Sequence, residues 1–303
     1  MKIVCIYNPK AGGGSAKKQL PKIKDLFNRY NIDAEIIFSK YPHNATEIIK
    51  ELDLSKYEAL VAAGGDGSFF DIVNGYMKHR NGIEIPLGII PVGTGNSLSR
   101  DITDNLDDLE NFIKIIAQKN TKKFDIGRVD TKSKTFYFAN MMGFGFTTDV
   151  TLTASKLKMF GSFAYTLGVL YNTIKLKTYP LKMTIDDKEY DLENTFITVS
   201  NSKYTGGNYL IAPKAVVDDG KIDVIIVNKI GRINLLKTFP KIFDGSYINS
   251  PFVDYIQAEK VKFKTVHEKI VSPDGEICGE LPIKIETISK AINILIDKDF
   301  EKN

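Results

Sequence analysis

The stretch that decides the fold reads Ala62-Ala63-Gly64-Gly65-Asp66-Gly67-Ser68. The apolar run Ala59–Ala63 predicts a buried strand, and the apolar spacing over Ser68–Met77 predicts a helix with Ser68 as its N-cap. Glycine lets the backbone between them approach a ligand closely. Asp66 adds a negative charge, which suits a divalent cation that bridges phosphates. The stretch therefore predicts a nucleotide-binding loop and phosphate transfer from ATP to a hydroxyl, with an ordinary Gly-rich turn as the alternative.

The sequence around this loop alternates strand-like and helix-like segments. The other expected strands are Lys2–Tyr7, Asp33–Phe38 and Leu87–Ile90, and the other expected helices are Ser15–Tyr30, Asn44–Leu52 and Leu106–Lys119. Strands that alternate with helices predict parallel βαβ units. The first fold class is therefore an α/β nucleotide-binding domain, a parallel sheet with helices on both faces.

The pattern changes near Lys122, where strand-like segments begin to dominate. They are Asp125–Asp130, Thr135–Met142, Leu181–Ile185, Thr195–Ser200, Ile222–Val227, Lys260–Thr265, Ile283–Glu286 and Ala291–Ile296. Two helices interrupt them, over roughly Val150–Lys175 and Ile233–Phe243. We expect an ATP-binding domain over 1–123, a β-sandwich lipid-binding and catalytic domain over 124–296, and a C-terminal segment, about 297–303, that packs back on the first domain.

Two more Gly-rich turns follow strands of the first domain. They read Asn8-Pro9-Lys10-Ala11-Gly12-Gly13-Gly14-Ser15 and Pro91-Val92-Gly93-Thr94-Gly95-Asn96-Ser97. The first turn lacks the Gly-Lys-Ser/Thr ending of a P-loop, but backbone N–H groups at a helix start can hold an anion. Loops at the carboxyl ends of parallel strands converge on one crevice. Together the three turns predict a nucleotide site.

Acidic turns in the second half are candidates for the catalytic chemistry. Ser272-Pro273-Asp274-Gly275-Glu276 presents two carboxylates, one to accept the proton of an acceptor hydroxyl and one to hold cation or water. Asp219, in Val216-Val217-Asp218-Asp219-Gly220-Lys221, could join backbone carbonyls in a hard-cation site. From the sequence alone, ordinary turns between strands are the simpler explanation of both stretches.

The composition limits the class of protein. The chain of 303 residues has 41 Lys and Arg against 37 Asp and Glu, a net charge of +4, which is too mild for nucleic acid as the main partner. Its two cysteines, Cys5 and Cys278, form no metal-ligand pattern and no disulfide framework. No stretch reaches the ~18 apolar residues of a membrane span. We expect a cytoplasmic protein that contacts a membrane only transiently.

These motifs together resemble the diacylglycerol kinase catalytic-domain family, particularly the soluble bacterial lipid kinases, with the sphingosine kinases as relatives. The resemblance covers nearly the whole chain and includes Asn74-Gly75, Asp125-Ile126-Gly127 and Gly143-Phe144-Gly145. It implies an active site in the cleft between two domains. The ATP contacts that it implies are Asn8, Pro9, Lys10, Ala11, Gly12, Ser39, Gly65, Asp66, Gly67, Ser68, Phe69, Phe70, Asp71 and Thr94.

The resemblance also implies catalytic roles. Glu276 would be the proton acceptor with Asp274 as its essential neighbour, and Asp66 would act through Mg²⁺ and water. Sphingosine-kinase-like sequences would instead make Asp66 the base. Asp219 and the carbonyls of Val216 and Lys221 would hold a structural Mg²⁺.

The sequence departs from the family pattern at three positions. Ser68 replaces the usual Thr, Ser97 stands where many members have Asp, and Gly13 stands where some members have a basic residue, for which Lys10 or Lys17 could compensate. These departures affect rate or nucleotide preference more than the type of reaction.

The acceptor is less specified than the donor. The stretch Asp149–Lys177 has basic ends around an apolar helix, which suits either a membrane surface or packing on the sandwich. An ATP- and Mg²⁺-dependent lipid kinase acting on diacylglycerol or a sphingoid base is the first hypothesis. The alternatives are an NAD kinase and a non-catalytic nucleotide- or lipid-binding regulator. A homodimer is compatible with an exposed sandwich edge.

Overall fold

The computed structural model describes residues 1–157, 163–264, 272–273 and 281–300. Packing divides the chain into two compact units. Unit 1 consists of Met1–Phe124 together with the C-terminal residues from Lys290 onward, and unit 2 consists of Asp125–Ser289.

Unit 1 alternates strands with helices. Its strands are β1 (Lys2–Tyr7), β2 (Asp33–Phe38), β3 (Ala59–Gly64) and β4 (Leu87–Pro91), and its helices are α1 (Ala16–Arg29), α2 (Asn44–Glu51), α3 (Asp66–His79) and α4 (Leu109–Gln118). The four strands are parallel in the order β2–β1–β3–β4. Helix α1 packs against α4, and α2 packs against α3. Because its strands are parallel, their carboxyl ends lie along one edge of the sheet.

The central strands of unit 1 are apolar along their whole length. Ile3, Val4, Leu60 and Val61 are fully buried, as expected for a parallel sheet that is covered on both faces. The C-terminal residues from Lys290 onward belong to this unit, and Ile294 pairs with Leu87 of β4 in parallel. The α/β class predicted for the first part of the chain is confirmed.

Unit 2 is built mainly from antiparallel strands. Its first strands are β5 (Thr121–Asp130, which begins in unit 1), β6 (Thr135–Phe138), β7 (Met141–Gly145), β8 (Tyr179–Ile185) and β9 (Lys188–Ser200). They are followed by β10 (Tyr204–Thr205), β11 (Tyr209–Leu210), β12 (Ile222–Asn228), β13 (Val253–Ala258), β14 (Lys260–Lys264), β15 (Ser272–Pro273) and β16 (Ile283–Leu295, which ends in unit 1). The long strand β9 pairs with β8 along its first half and with β7 and β12 along its second half. The β-rich sandwich predicted for this part is confirmed.

The helices of unit 2 differ from the sequence prediction. The expected single helix over Val150–Lys175 is described as α5 (Phe146–Lys156) and α6 (Phe163–Ile174), on either side of residues 158–162. The two helices pack side by side, so closely that a Cβ at Gly168 would lie 3.1 Å from the Val150 carbonyl oxygen. One straight helix was therefore the wrong prediction, because the apolar residues of its two halves bury one another.

A second helix is shorter than predicted. In place of Ile233–Phe243, helix α7 covers Arg232–Thr238, and a 3-10 helix follows over Phe239–Ile242. Pro240 explains the change because it has no N–H for the α-helical ladder. Helices α5, α6 and α7 contribute Val150, Val169 and Leu235 to one buried apolar cluster of unit 2. Of the helices in the described ranges, none has both the length and the apolar character that a membrane crossing requires.

Candidate active site

Three loops meet at the carboxyl edge of the unit 1 sheet. They follow β1, β3 and β4, and main-chain hydrogen bonds join them: Asn8 N donates to Ala63 O at 2.9 Å, and Gly93 N donates to Gly64 O at 3.1 Å. A Cβ on Gly93 would lie only 2.4 Å from Gly65 Cα. Glycine is thus required at Gly93, because any side chain would separate the second and third loops.

The first loop wraps around the side chain of Asn8. The Asn8 carboxamide accepts a hydrogen bond from Lys10 N at 3.0 Å and donates one to Ser68 Oγ at 3.2 Å, so it ties the first loop to the second. Gly12 has a positive φ of 58°, and a Cβ there would lie 2.8 Å from the Val92 carbonyl oxygen of the third loop. Pro9 and Ala11 complete this turn, which leads through the 3-10 helix Ala11–Gly14 into α1.

The second loop starts α3 earlier than the sequence predicts. The helix begins at Asp66 with Gly65 as its N-cap, and Gly67 and Ser68 lie in its first turn. The prediction that Ser68 caps the helix is wrong, because its N–H already donates to Gly65 O and its hydroxyl accepts from Asn8 instead. The start of α3 therefore directs backbone N–H groups and a positive dipole end toward the loop edge, which favours an anion.

The Asp66 carboxylate is held by the third loop. It accepts hydrogen bonds from Ser97 N at 2.7 Å, from Ser97 Oγ at 3.1 Å and from Leu98 N at 3.4 Å. Burial raises the pKa of Asp66, and the hydrogen bonds from Ser97 and Leu98 partly counteract that rise. Sequence reasoning noted Ser97 only as a departure from the family and missed its contact with Asp66, since the two residues lie 31 positions apart.

The third loop has two polar side chains at its tip, Asn96 and Thr94, and they have different surroundings. Asn96 adopts a left-handed φ of 52° and closes the loop on itself, with its amide donating to Gly93 O at 2.9 Å and accepting from Gly93 N at 3.2 Å. Thr94 is exposed. Asn96 therefore shapes the loop, and Thr94 is the side chain that a ligand can reach.

A fourth segment lies beside the first loop. Ser39 N donates to Tyr7 O at 2.9 Å directly after β2, and Lys10 Nζ donates to Lys40 O at 3.3 Å. The exposed residue His43 ends this segment with a left-handed φ of 64°. Ser39, expected to touch ATP, is thus adjacent to the end of β1 through main-chain contact.

His43 joins this segment to α3, a contact that sequence reasoning missed. Its N–H donates to Asp71 Oδ2 at 3.0 Å and its Nδ1 lies 2.8 Å from Asp71 Oδ1. Burial raises the pKa of Asp71, while the contacts with His43 lower it by a smaller amount. A single histidine in a loop gives no signal of such a contact in the sequence. Asp71 therefore anchors the segment that carries Ser39.

Two of the residues expected to contact the nucleotide have buried side chains. Phe69 and Phe70 follow Ser68 on α3, and each side chain is 3% exposed. The structure thus places both phenyl rings in the core of unit 1. Their contribution to the loop cluster is to fix the first turn of α3 against the sheet, as large buried side chains do.

The Asp219 turn lies in unit 2. The Asp219 carboxylate accepts from Lys221 N at 3.0 Å and is exposed, as are the side chains of Val216 and Lys221. Gly220 N donates to Asp125 Oδ2 at 2.6 Å, which fixes the turn against a fully buried carboxylate. The remaining lone pairs of Asp219 are therefore accessible to a hard cation.

The buried polar atoms near this turn test whether a cation fits. Asp223 Oδ1 is buried and has no hydrogen-bond partner among the described residues. The pKa of Asp223 is raised to about 6, chiefly by burial and in part by the charge of Asp219. This local excess of negative charge and the oxygen-only donor set fit Mg²⁺. Within the described ranges no group of three or more His, Cys, Asp or Glu side chains could hold a metal, so such a site depends on backbone carbonyls.

The predicted proton acceptor lies outside the described part of the chain. Asp274 and Glu276 fall in residues 274–280. The strand β15 directly before them is described, and it pairs Ser272 with Gly143 and Pro273 with Met142.

Comparisons with known proteins agree with this architecture. The diacylglycerol kinase catalytic domain family model matches residues 2–129, and the model described as the YegS C-terminal NAD kinase beta sandwich-like domain matches residues 140–296. The diacylglycerol kinase of Bacillus subtilis is 28% identical over 97% of this chain and 96% of its own length. Sphingosine kinase 1 of Arabidopsis thaliana is 24% identical over 91% of this chain and 68% of its own length.

Solved structures show the same likeness. A crystal structure of a diacylglycerol kinase from Bacillus anthracis superimposes with a TM-score of 0.81 at 27% identity, covering 98% of this chain and 97% of the other. The likeness thus extends over both units and the loops that connect their strands. The chain belongs to the diacylglycerol kinase catalytic-domain family and is a lipid kinase.

Proposed function

We propose that the protein transfers the γ-phosphoryl group of ATP to a hydroxyl of a membrane lipid, with diacylglycerol as the first candidate acceptor and a sphingoid base as the second. One observation carries the proposal. Three Gly-rich loops meet where the third loop holds the partly buried Asp66 carboxylate through Ser97 and Leu98. The family of kinases implies ATP as the phosphate donor. The names of the relatives support both acceptors.

The loops of unit 1 bind and orient the phosphates in this proposal. Backbone N–H groups at the start of α3 would contact the phosphates, the Asn8–Gly12 turn would lie beside them, and Ser39 and Thr94 would add hydroxyl contacts. Gly65 and Gly93 leave no side chain between the loops, which lets a phosphate approach the backbone. The binding role of this cluster is to hold the γ-phosphorus in line with the acceptor oxygen.

The transfer step requires a proton acceptor. An O–P bond forms to the lipid oxygen as the bond between the γ-phosphorus and ADP breaks, and the hydroxyl proton passes to a carboxylate. We assign Glu276 as that base, Asp274 as its neighbour, and Asp66 as the group that orders cation and water. The hydrogen bonds that Asp66 accepts support a fixed position for its charge.

Two sets of residues fit a divalent cation. Asp66 is partly buried, and within the described residues no Lys or Arg forms an ion pair with it, so hydrogen bonds compensate its charge. Asp219 with the carbonyls of Val216 and Lys221 offers the second set. When bound, Mg²⁺ would neutralise phosphate charge at the first set and would stabilise the turn at the second. We propose a cytoplasmic location with transient membrane contact, because the acceptor lies in a membrane.

The test is a panel of acceptors with γ-labelled ATP. Diacylglycerol, sphingosine and NAD are presented separately to the purified protein, the two lipids in detergent micelles. We expect label on a lipid and none on NAD. Label on NAD alone would favour the NAD kinase alternative, and ATP binding without transfer to any acceptor would favour the non-catalytic regulator. Glu276→Gln is expected to abolish transfer and to leave ATP binding within a few-fold of the parent.

A further inference from the structure

Helix α6 buries one face and exposes the other. Val169 and Thr173 are buried in unit 2. The exposed side carries Leu167, Leu170, Tyr171 and Ile174, which are 39%, 48%, 48% and 72% exposed. Their spacing of three and four residues places them on one stripe of the helix. A stripe of four large apolar side chains in water requires a partner, since single exposed apolar residues are common but contiguous ones are not.

Helix α7 extends this stripe. Leu235 is buried with Val169 in the same cluster, whereas Ile233 is 70% exposed and Leu236 is 43% exposed. The helices adjoin at the end of α6, where Arg232 Nε donates to the Ile174 carbonyl oxygen at 3.2 Å. The docking face consists of the exposed side chains Leu167, Leu170, Tyr171, Ile174, Ile233 and Leu236.

An aromatic cluster continues from α7 along the same side of unit 2. Tyr209 packs against Phe239 and Phe243, with ring centroids 5.9 and 5.0 Å apart, and its hydroxyl lies 3.4 Å from Thr166 Oγ1 of α6. Phe243 is half exposed. The cluster therefore connects the segment after α7 to α6, the helix that carries most of the docking face.

The segments that carry the docking face contain cations and no acidic side chains. Its surroundings carry the exposed cations Lys156, Lys175, Lys177, Arg232, Lys237 and Lys241. No Asp or Glu occurs in α6, in α7 or in the segment Phe239–Phe243. Lys175 Nζ lies 4.6 Å from the centre of the Tyr171 ring, so the rim and the apolar stripe are in direct contact. Apolar side chains with a rim of cations match the boundary between lipid headgroups and acyl chains.

We propose that the docking face binds the surface of an anionic phospholipid membrane. The apolar side chains enter the headgroup boundary, Tyr171 lies at that boundary as interfacial aromatic residues do, and the cations contact lipid phosphates. A second copy of the chain fits less well, because a two-fold interface would bring the same six cations against each other. This inference rests on the proposed function, because a membrane-lipid acceptor is the reason for the enzyme to bind a membrane.

The first experiment measures binding to vesicles without ATP. The protein is sedimented with vesicles of phosphatidylcholine alone and of phosphatidylcholine mixed with phosphatidylglycerol. We expect binding to the mixed vesicles that weakens as salt is added. Leu170→Ser with Ile174→Ser should reduce the affinity at least about tenfold, because two apolar side chains leave the interface. Thermal unfolding of the double variant checks that unit 2 remains folded.

A charge-matched pair of variants gives the control. Lys175→Gln with Lys177→Gln should weaken binding to anionic vesicles by roughly 25-fold, about fivefold for each charge. Lys132→Gln with Lys134→Gln removes the same charge from the exposed turn between β5 and β6, outside the docking face. This control pair should bind vesicles as the parent does. Equal losses in both pairs would show a general charge effect and would overturn the proposal.

A second measurement separates this inference from the proposed function. Phosphorylation is followed on a short-chain diacylglycerol in free solution and on the same headgroup in vesicles. The serine variants should retain turnover on the soluble lipid and lose it on vesicles. Vesicle binding without any kinase activity would contradict the proposed function and keep the docking face. Parent-like vesicle binding by the serine variants, or a dimer that these variants dissociate, would overturn the docking face alone.

Discussion

The same dipeptide, Asp-Gly, occurs at Asp66 and at Asp219, and the two carboxylates lie in opposite environments. Asp66 is partly buried and accepts three hydrogen bonds from Ser97 and Leu98, which come from another loop. Asp219 is exposed and accepts one from Lys221, two residues along its own turn. The turn sequence therefore does not determine the state of the carboxylate. Hydrogen-bond donors from a distant segment determine it. They hold the Asp66 carboxylate in a fixed position, whereas Asp219 stays accessible to solvent and cations.

The largest expected effect comes from Asp66→Asn. The amide keeps the size of the side chain but removes a charge whose position three hydrogen bonds fix. We expect kcat to fall by roughly 10³, within the range for groups that handle protons or order the reacting groups. ATP affinity should stay within a few-fold, because the loops remain. The assay is steady-state transfer to diacylglycerol together with ATP binding by calorimetry. A kcat close to that of the parent would remove Asp66 from the reacting centre.

Asp219→Asn tests the open carboxylate. In the parent, Mg²⁺ should raise the melting temperature without nucleotide, because a ligand that binds the folded state stabilises it. The variant should bind Mg²⁺ at least about tenfold more weakly and lose most of that shift. Asp187→Asn removes the same charge from another exposed turn, where the positive φ of 38° also tolerates Asn. If both variants respond to Mg²⁺ as the parent does, Asp219 holds no cation.

Ser97→Ala removes one hydrogen-bond donor from the partly buried Asp66 carboxylate. The hydroxyl is the strongest of the donors that lower the pKa of Asp66, so its loss should raise that pKa further. The acidic limb of the kcat–pH profile should move to higher pH. At pH values below that limb, the kcat of the variant should be about tenfold lower than that of the parent. Ser99→Ala is the matched control, because Ser99 is also buried and its Oγ has no hydrogen-bond partner in the part of the chain that the structure describes. Identical shifts in the two variants would exclude a specific effect of Ser97.

Asp71 gives the smallest effect, on stability. Burial raises its pKa above the unfolded value, so the stability that it contributes is present at low pH and is lost as pH rises through the raised pKa. Asp71→Asn is neutral at every pH and should lack this decline. The measurement is the free energy of unfolding in urea at several pH values, taken as the difference between parent and variant. A pH-independent difference would contradict the raised pKa of Asp71.

The loop that Asp71 holds offers a companion variant. His43→Gly keeps the N–H contact with Asp71 Oδ2, removes the imidazole contact and relieves the left-handed backbone. The KM for ATP should rise a few-fold while kcat stays unchanged, because Ser39 lies in the same segment. His79→Ala, at the far end of α3, is the control and should leave both constants unchanged.

The amino-acid sequence determined the order of the elements and the places of the Gly-rich loops. Apolar runs such as Lys2–Tyr7 and Ala59–Ala63 gave strands within one residue of those observed, since buried parallel strands are apolar throughout. The Gly-rich turns could also be predicted from local sequence, because the close backbone approach at Gly65 and Gly93 excludes a side chain. Family motifs added the assignment of a lipid kinase.

Only the tertiary structure decided which partners those residues have. The contact of Ser97 with Asp66, that of His43 with Asp71 and the burial of Phe69 join or orient side chains that no local pattern connects. The division of one predicted helix into α5 and α6 likewise follows from packing, because Gly168 allows the helices to lie side by side. Sequence patterns encode backbone geometry over a few residues, whereas desolvation and hydrogen-bond partners depend on which segments meet in the fold.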